Sequence, residues 1–362
     1  MVKTKEPSPC LVRVKKRYDD FSLDVSFETG SKRIGILGAS GSGKSLTLKS
    51  IAGLICPDEG RIVLDGRVLF DSSLGKDIKV GKRKAGYLFQ DYALFPNMSV
   101  RGNIGAAMHG VGNNTESGME ELLKRFNLWD VKDHMPHELS GGQKQRTALV
   151  RMLVTDPEVI LLDEPFSAMD TYLREGLRLE LIRILDMYDK RVIMVSHDRD
   201  EIYQMCDHLV LLDKGRVIAE GETDELFEHP ASVPAARLTG CKNISRIERL
   251  TDHSVRALDW KGIELITDGK VTDDITHIGI RAHDFIPGTE GVNTIPCGNV
   301  SVSRLPFEWY VTLENGLWWK LSRDIYETFD EKRLPESLSV APDRIILLKK
   351  TEEPSPCLRQ QT

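Results

Sequence analysis

Long apolar runs are missing from this chain. No stretch approaches the roughly 20 apolar residues of a membrane-spanning helix, so any membrane component is expected to be another chain. The opening Met1-Val2-Lys3-Thr4-Lys5 lacks the apolar stretch of a secretory signal. Cysteine is sparse. Cys10, Cys56, Cys206, Cys241, Cys297 and Cys357 stand far apart with no CxxC spacing, which argues against a zinc site or a disulfide framework. Reduced thiols in a cytosolic protein are the expectation. Excess basic charge is also absent: the formal net charge is -6, so nucleic-acid binding is not expected.

What is present points to phosphate chemistry. Gly38-Ala39-Ser40-Gly41-Ser42-Gly43-Lys44-Ser45 fits the pattern of a phosphate-binding loop. At average glycine usage such a match is a roughly 1% accident in a chain of this size. Leu139-Ser140-Gly141-Gly142-Gln143 follows, and five fixed residues recur by chance on the order of a few times in ten thousand. Beyond it, Val159-Ile160-Leu161-Leu162-Asp163-Glu164 is an apolar run ending in two carboxylates.

The length, 362 residues, suits two or three domains. Residues 33–37 read as a buried strand feeding the loop, and 45–54 as the helix after it. Residues 61–70 read as a hairpin turning at Asp65-Gly66. Residues 91–152 are mostly helical in pattern. Residues 159–162 and 191–196 read as buried strands bracketing a helix, the alternation of a parallel sheet. His229-Pro230-Ala231-Ser232-Val233-Pro234 reads as the start of a linker, and short β-rich runs dominate beyond it. The expected division is residues 1–232, a linker at 233–240, a second domain at 241–350 and a disordered tail at 351–362. Glu6-Pro7-Ser8-Pro9-Cys10-Leu11 recurs as Glu353-Pro354-Ser355-Pro356-Cys357-Leu358, and both copies are expected at frayed ends.

Polyphosphate calls for backbone N–H donors and positive charge. Gly38, Gly41 and Gly43 let the backbone wrap phosphates without Cβ clashes, and the following helix aims its N-terminus at them. Lys44 is expected to reach the β- and γ-phosphates; Ser45 is expected to hold Mg²⁺ with support from Asp163. Glu164 is the candidate for polarising an attacking water.

This constellation resembles the ATP-binding cassette family. The resemblance implies an α/β P-loop ATPase domain with a helical subdomain at about 91–152, followed here by a small β-barrel, OB-like. It implies ATP and Mg²⁺ as cofactors. Gln90, in Tyr87-Leu88-Phe89-Gln90, matches the family's glutamine that touches Mg²⁺ or water and senses the membrane partner. Ser167-Ala168-Met169-Asp170 matches the motif ending in an aspartate at the nucleotide. His197 matches the histidine that contacts the γ-phosphate, and Tyr18 suits the aromatic that stacks on adenine. Ser140, Gly141, Gly142 and Gln143 would face nucleotide held by the Gly38-to-Ser45 loop of an opposite copy, which implies a C₂ homodimer.

Leu94-Phe95-Pro96-Asn97-Met98 is similar to the surface on which import ATPases receive a membrane-domain helix. The implied partners are two membrane permease subunits and, indirectly, an extracytoplasmic solute-binding protein. The implied location is the cytoplasmic face of the cell membrane, peripherally bound. Leu238-Thr239-Gly240-Cys241-Lys242-Asn243-Ile244 and Ile278-Gly279-Ile280-Arg281-Ala282-His283-Asp284 resemble molybdate importer ATPases, with an oxyanion ligand possible in the second domain. Sulfate, ferric-iron and polyamine importers are the alternatives within the family. A non-transport ATPase with a partner-binding tail is the alternative outside transport.

Overall fold

A computed structural model describes residues 9–108, 116–167, 171–188, 190–288, 291–327, 329 and 334–350. These fall into two compact units, parted at Asp224/Glu225.

The first unit holds strands β1 (Cys10–Arg17), β2 (Ser22–Thr29), β3 (Arg33–Gly38), β4 (Glu59–Leu64), β5 (Arg67–Asp71), β6 (Lys76–Asp77), β7 (Ala85–Leu88), β8 (Val159–Asp163), β9 (Arg191–Ser196), β10 (His208–Asp213) and β11 (Arg216–Glu222). Its helices are α1 (Lys44–Ala52), α2 (Val80–Arg83), α3 (Val100–Met108), α4 (Glu116–Arg125), α5 (Gly141–Leu153), α6 (Thr171–Asp186) and α7 (Arg199–Met205). All eleven strands join one sheet, ordered β6-β5-β4-β1-β2-β11-β10-β3-β9-β8-β7. The run β10-β3-β9-β8-β7 is parallel, and the flank from β2 through β1, β4 and β5 to β6 is antiparallel.

Pattern explains the difference. In β2, Leu23, Val25 and Phe27 are buried while Ser22, Asp24 and Ser26 are exposed, the period-2 signature of a strand with one solvated face. In β8 all five residues are buried, as a parallel strand covered on both faces requires. Cys10 and Leu11, expected at a frayed end, open β1 instead. Cys10 is fully buried, and burial pushes its thiol up to about 12.

Register sets where the chemistry goes. Leu37 pairs with Ser196, Asp163 with Val195 and Leu88 with Leu162, so β3, β9, β8 and β7 end nearly level. The loops carrying residues 39–45, His197, Glu164 and Gln90 all leave from these carboxyl ends, where open parallel sheets hold ligands.

The second unit takes in α8 (Thr223–Glu228) from Glu225 onward, then α9 (Val233–Leu238), β12 (Asn243–Thr251), β13 (Ser254–Ala257), β14 (Ile263–Ile266), β15 (Ile275–Ile280), β16 (Ile286–Pro287), β17 (Asn293–Pro296), β18 (Ser301–Arg304), β19 (Glu308–Thr312), β20 (Trp318–Ser322), α10 (Arg323–Glu327), β21 (Ser337–Val340) and β22 (Ile346–Lys349). The strands form three sheets, β14-β13-β12-β15-β22, β16-β21-β17 and β18-β19-β20. One core, including Trp260, Phe285, Leu317 and Trp319, underlies them. No single closed ladder joins them among the described residues.

Residues 233–240, read above as linker, contain α9. Ser232 caps it by accepting from the Ala235 N–H, Pro234 stands in its first turn, and Ala236 packs with Cys241 and Leu348.

Candidate active site

The loop from Gly38 to Ser45 turns β3 into α1. Gly43 is the helix N-cap in the left-handed region, with φ 101° and no side-chain cap, so the first-turn N–H groups are left without a side-chain acceptor. A Cβ at Gly43 would come within 2.6 Å of Leu23, so only glycine fits. Ser42 Oγ is buried without a partner among the described residues.

Lys44 is buried, and its Nζ donates to the carbonyls of Gly38 and Ala39, both at 2.9 Å. Glu164 Oε1 lies 3.8 Å from the same nitrogen. Burial lowers the pKa of this ammonium, while the neighbouring Glu164 and Asp163 carboxylates raise it. The cation is therefore held against its own loop, at the place where an anionic ligand would compete for it.

Asp163, at the end of β8, is held at both oxygens. Ser45 Oγ donates to Oδ1 at 2.7 Å, and Tyr87 Oη donates to Oδ2 at 2.7 Å. Glu164 follows with φ 45°, an unusual conformation for a non-glycine residue. Three hydrogen bonds hold it there: its N–H donates to Val195 O, and its own carbonyl accepts from both the N–H and the hydroxyl of Ser167. This backbone turns the carboxylate toward the loop, where Oε2 meets His197 Nδ1 at 3.1 Å. Strain of this kind gathers at functional sites.

A cavity of about 490 Å³ opens here, lined by Tyr18, Phe21, Ser40, Gly41, Gly43, Lys44, Ser45, Leu46, Gln90 and Glu164. That volume suits a small-molecule ligand. Gln90 and Tyr18 are thus on the wall of the loop's own cavity, beside Phe21. Ser45 and Asp163 supply hard oxygen donors, which fit Mg²⁺ completed by ligand phosphate oxygens and water. No cluster of three or more His, Cys, Asp or Glu occurs in a metal-holding arrangement among the described residues.

Ser140, Gly141, Gly142 and Gln143 do not line this cavity. Ser140 caps α5, with its Oγ accepting from the Gln143 N–H while Gln143 Oε1 accepts from the Ser140 N–H. A Cβ at Gly142 would meet Leu177 of α6 at 3.2 Å, so the glycine lets two helices close up. Gln145, one turn on, donates to Pro165 O and ties α5 to the loop after Glu164. Asp170 lies outside the described residues.

A second concavity, of about 300 Å³, runs between β7, α3 and α5 and is lined by residues including Tyr87, Tyr92, Phe95, Arg151 and Met152. Phe95 and Met98 are exposed beside it. Buried Asn103 organises this loop. Its Oδ1 accepts from the Phe95 N–H, and its Nδ2 donates to the carbonyls of Phe95, Met98 and Ser99. Arg151 donates to Tyr92 O and lies 5.0 Å from the Phe95 ring centroid.

Tyr87 and Asn103 were not legible as site residues. The available signal was a polar tip on an otherwise buried element, which needs a partner. In the second unit, the two segments read as molybdate-like pair with each other: Asn243 faces Ile280 across β12 and β15, and Arg281 donates to Thr239 O and Phe227 O. They knit the unit together.

Residues 21–167 match the family described as ABC transporter. The molybdenum import ATP-binding protein ModC of Paramagnetospirillum magneticum is 37% identical over 229 residues, 63% of this chain and 62% of that relative. The chain thus spans under two thirds of the length of this relative. The Fe(3+) ions import ATP-binding protein FbpC of Haemophilus influenzae is 36% identical over 293 residues, 80% of this chain and 82% of the relative. Among solved structures, the dimeric post-hydrolysis state of the ATP-binding cassette MJ0796 bound to ADP and Pi is similar at TM-score 0.50 and 28% identity, covering 60% of this chain and 99% of that one.

Proposed function

The chain belongs to the ABC transporter family of ATP-binding import proteins, and from that membership we propose that it hydrolyses ATP as the motor subunit of an import transporter. The observation that carries this reading is the meeting of Lys44, Glu164, Gln90 and Ser45 on one cavity, with His197 against Glu164.

In this reading Tyr18 and Phe21 receive the base, and the Gly38-to-Ser45 loop with Lys44 receives the phosphates. Ser45 and Asp163, with Gln90, hold Mg²⁺, which neutralises phosphate charge when bound. Glu164 orients water and takes its proton, and His197 fixes the Glu164 carboxylate. Ser140 and Gly142 complete the cavity of a second copy, so the active species is a homodimer. Support comes from their position away from the chain's own cavity and from the dimeric state of the similar cassette.

The groove at Phe95 and Arg151 is the docking place for a membrane permease, two per dimer. An extracytoplasmic solute-binding protein acts indirectly, and the chain sits peripherally at the cytoplasmic face. No helix among the described residues is long and apolar enough to cross a membrane. Molybdate or a related oxyanion is the solute we favour, on the molybdenum-import relative. The broader coverage of the Fe(3+) relative favours ferric iron as the second reading. The small-barrel reading of the second unit is retained, supported by the core common to its three sheets.

Phosphate release from Mg²⁺-ATP by the purified chain, set against Lys44→Ala, tests the ATPase. Capture of a permease by the wild type but not by Phe95→Asp, with basal hydrolysis kept, tests the motor role. Calorimetry of the full chain with molybdate, tungstate and sulfate tests the oxyanion.

A further inference from the structure

We propose that Tyr87 is a positioning residue that holds the Asp163 carboxylate in its metal-supporting orientation through the 2.7 Å hydrogen bond from its hydroxyl to Oδ2. The inference rests on the Mg²⁺-ATP reading of the cavity and adds to it a residue that neither its motif nor its chemistry had singled out.

The geometry follows from the sheet. Tyr87 pairs with Leu161 on the adjacent parallel strand, so Asp163, two residues on, projects from the same face as Leu161 and Tyr87. A phenol is long enough to span that offset along the strand. The Tyr87 ring packs against Phe89 with centroids 4.5 Å apart, which restricts its rotamer. A carboxylate oxygen can only accept, so the phenol hydroxyl is the donor of this bond.

Asp163 has two anchors, but they are not equivalent. Ser45 is itself a metal-binding residue in this reading, so its hydroxyl is no permanent support for the carboxylate. Among the described residues, the Tyr87 hydroxyl meets no second polar partner. A phenylalanine would fill the same space, and a buried hydroxyl is costly without a partner, so the extra oxygen is accounted for by Asp163 alone. Carboxylates that support metals are oriented by such outer hydrogen bonds. The same ring lines the groove beside Phe95, which places the metal-supporting carboxylate one side chain away from that surface.

The test is Tyr87→Phe in the full-length chain. Mn²⁺ affinity in the presence of ATP, read by electron paramagnetic resonance, should fall about tenfold. ATP affinity in EDTA, read by fluorescence of a labelled nucleotide, should stay within about twofold, because the phosphate loop is untouched. Incorporating 3-fluorotyrosine at position 87 retains the hydroxyl and should retain wild-type Mn²⁺ affinity, which guards against a variant that merely folds badly. Unchanged Mn²⁺ affinity in Tyr87→Phe, or an equal fall with and without metal, overturns the assignment. A wild-type chain that binds no ATP at all would instead overturn the nucleotide reading, and this inference with it.

Discussion

Glu164 Oε2 lies 3.1 Å from His197 Nδ1 although 33 residues separate them in the chain. The contact exists because β8 and β9 are parallel neighbours that end level, with Asp163 paired to Val195. Two functional loops therefore leave the sheet at the same height.

The first prediction concerns that pair. Glu164→Gln keeps the shape and removes the proton acceptor. Phosphate release should fall by roughly two orders of magnitude or more, the usual range for losing a general base. ATP binding should persist, and size-exclusion chromatography with ATP should reveal accumulated dimer. Undiminished turnover would remove Glu164 from the mechanism.

Complementation tests the shared cavity. Lys44→Ala and Ser140→Arg chains should each be inactive alone. Mixed in equal amounts, half of the dimers are mixed and each of these has one intact cavity, so activity should recover to about a quarter of wild type. A mixture as inactive as its parts would mean that the two motifs act within one chain.

Glu201 gives a pH-dependent prediction. Its carboxylate is buried, accepts from Ser196 Oγ at 2.6 Å, and has its pKa raised by burial and then by Asp198, against the lowering pull of Ser196, Arg174 and His197. A folded-state value above the unfolded one means that this group's stabilising contribution is full below about pH 4.5 and is lost as pH rises through the folded pKa. Glu201→Gln can still accept from Ser196 and does not titrate. Its melting temperature relative to wild type should therefore become more favourable from pH 5 to pH 8. His197, Asp198 and Arg174 are common to both proteins and cancel in that difference. A flat difference would show that Glu201 does not ionise in this range.

Arg83 supports the phosphate loop from behind. Its guanidinium is fully buried and donates to Ser50 O and Ile51 O at the last turn of α1, to Ile78 O and to Asp77. Gly53, with φ 80°, makes room, since a Cβ there would come within 2.6 Å of Nε. Arg83→Met should destabilise the first unit by about 3 kcal/mol, because several buried carbonyls lose their donor. Calorimetric unfolding of the full chain would register this as an earlier transition.

Local chemistry was legible in the sequence, and distance was not. The glycines of residues 38–45 and the apolar run before Asp163 each write their structure in adjacent residues. So does the Asp65-Gly66 turn, where Leu64 pairs with Arg67. Tyr87 was invisible because its acceptor is 76 residues away, and only the strand order makes them neighbours. The missed helix at Val233–Leu238 is a different failure. The segment holding Ser232 and Pro234 reads as linker, yet serine at the cap and proline in the first turn are also how helices begin. The decisive fact, burial of Ala236 beside Leu348, is again long-range.

The seat of Ser140 at a capped helix end, apart from the cavity formed by its own chain, has a kinetic consequence. If turnover needs Ser140 of one chain and Lys44 of another, the rate in dilute solution is second order in protein. Activity per chain would then climb with concentration and level off only when pairing saturates. A permease holding two copies side by side would abolish that dependence, raising their effective concentration far beyond that of free chains. Assembly itself would then act as the ignition, keeping unplaced subunits from consuming ATP.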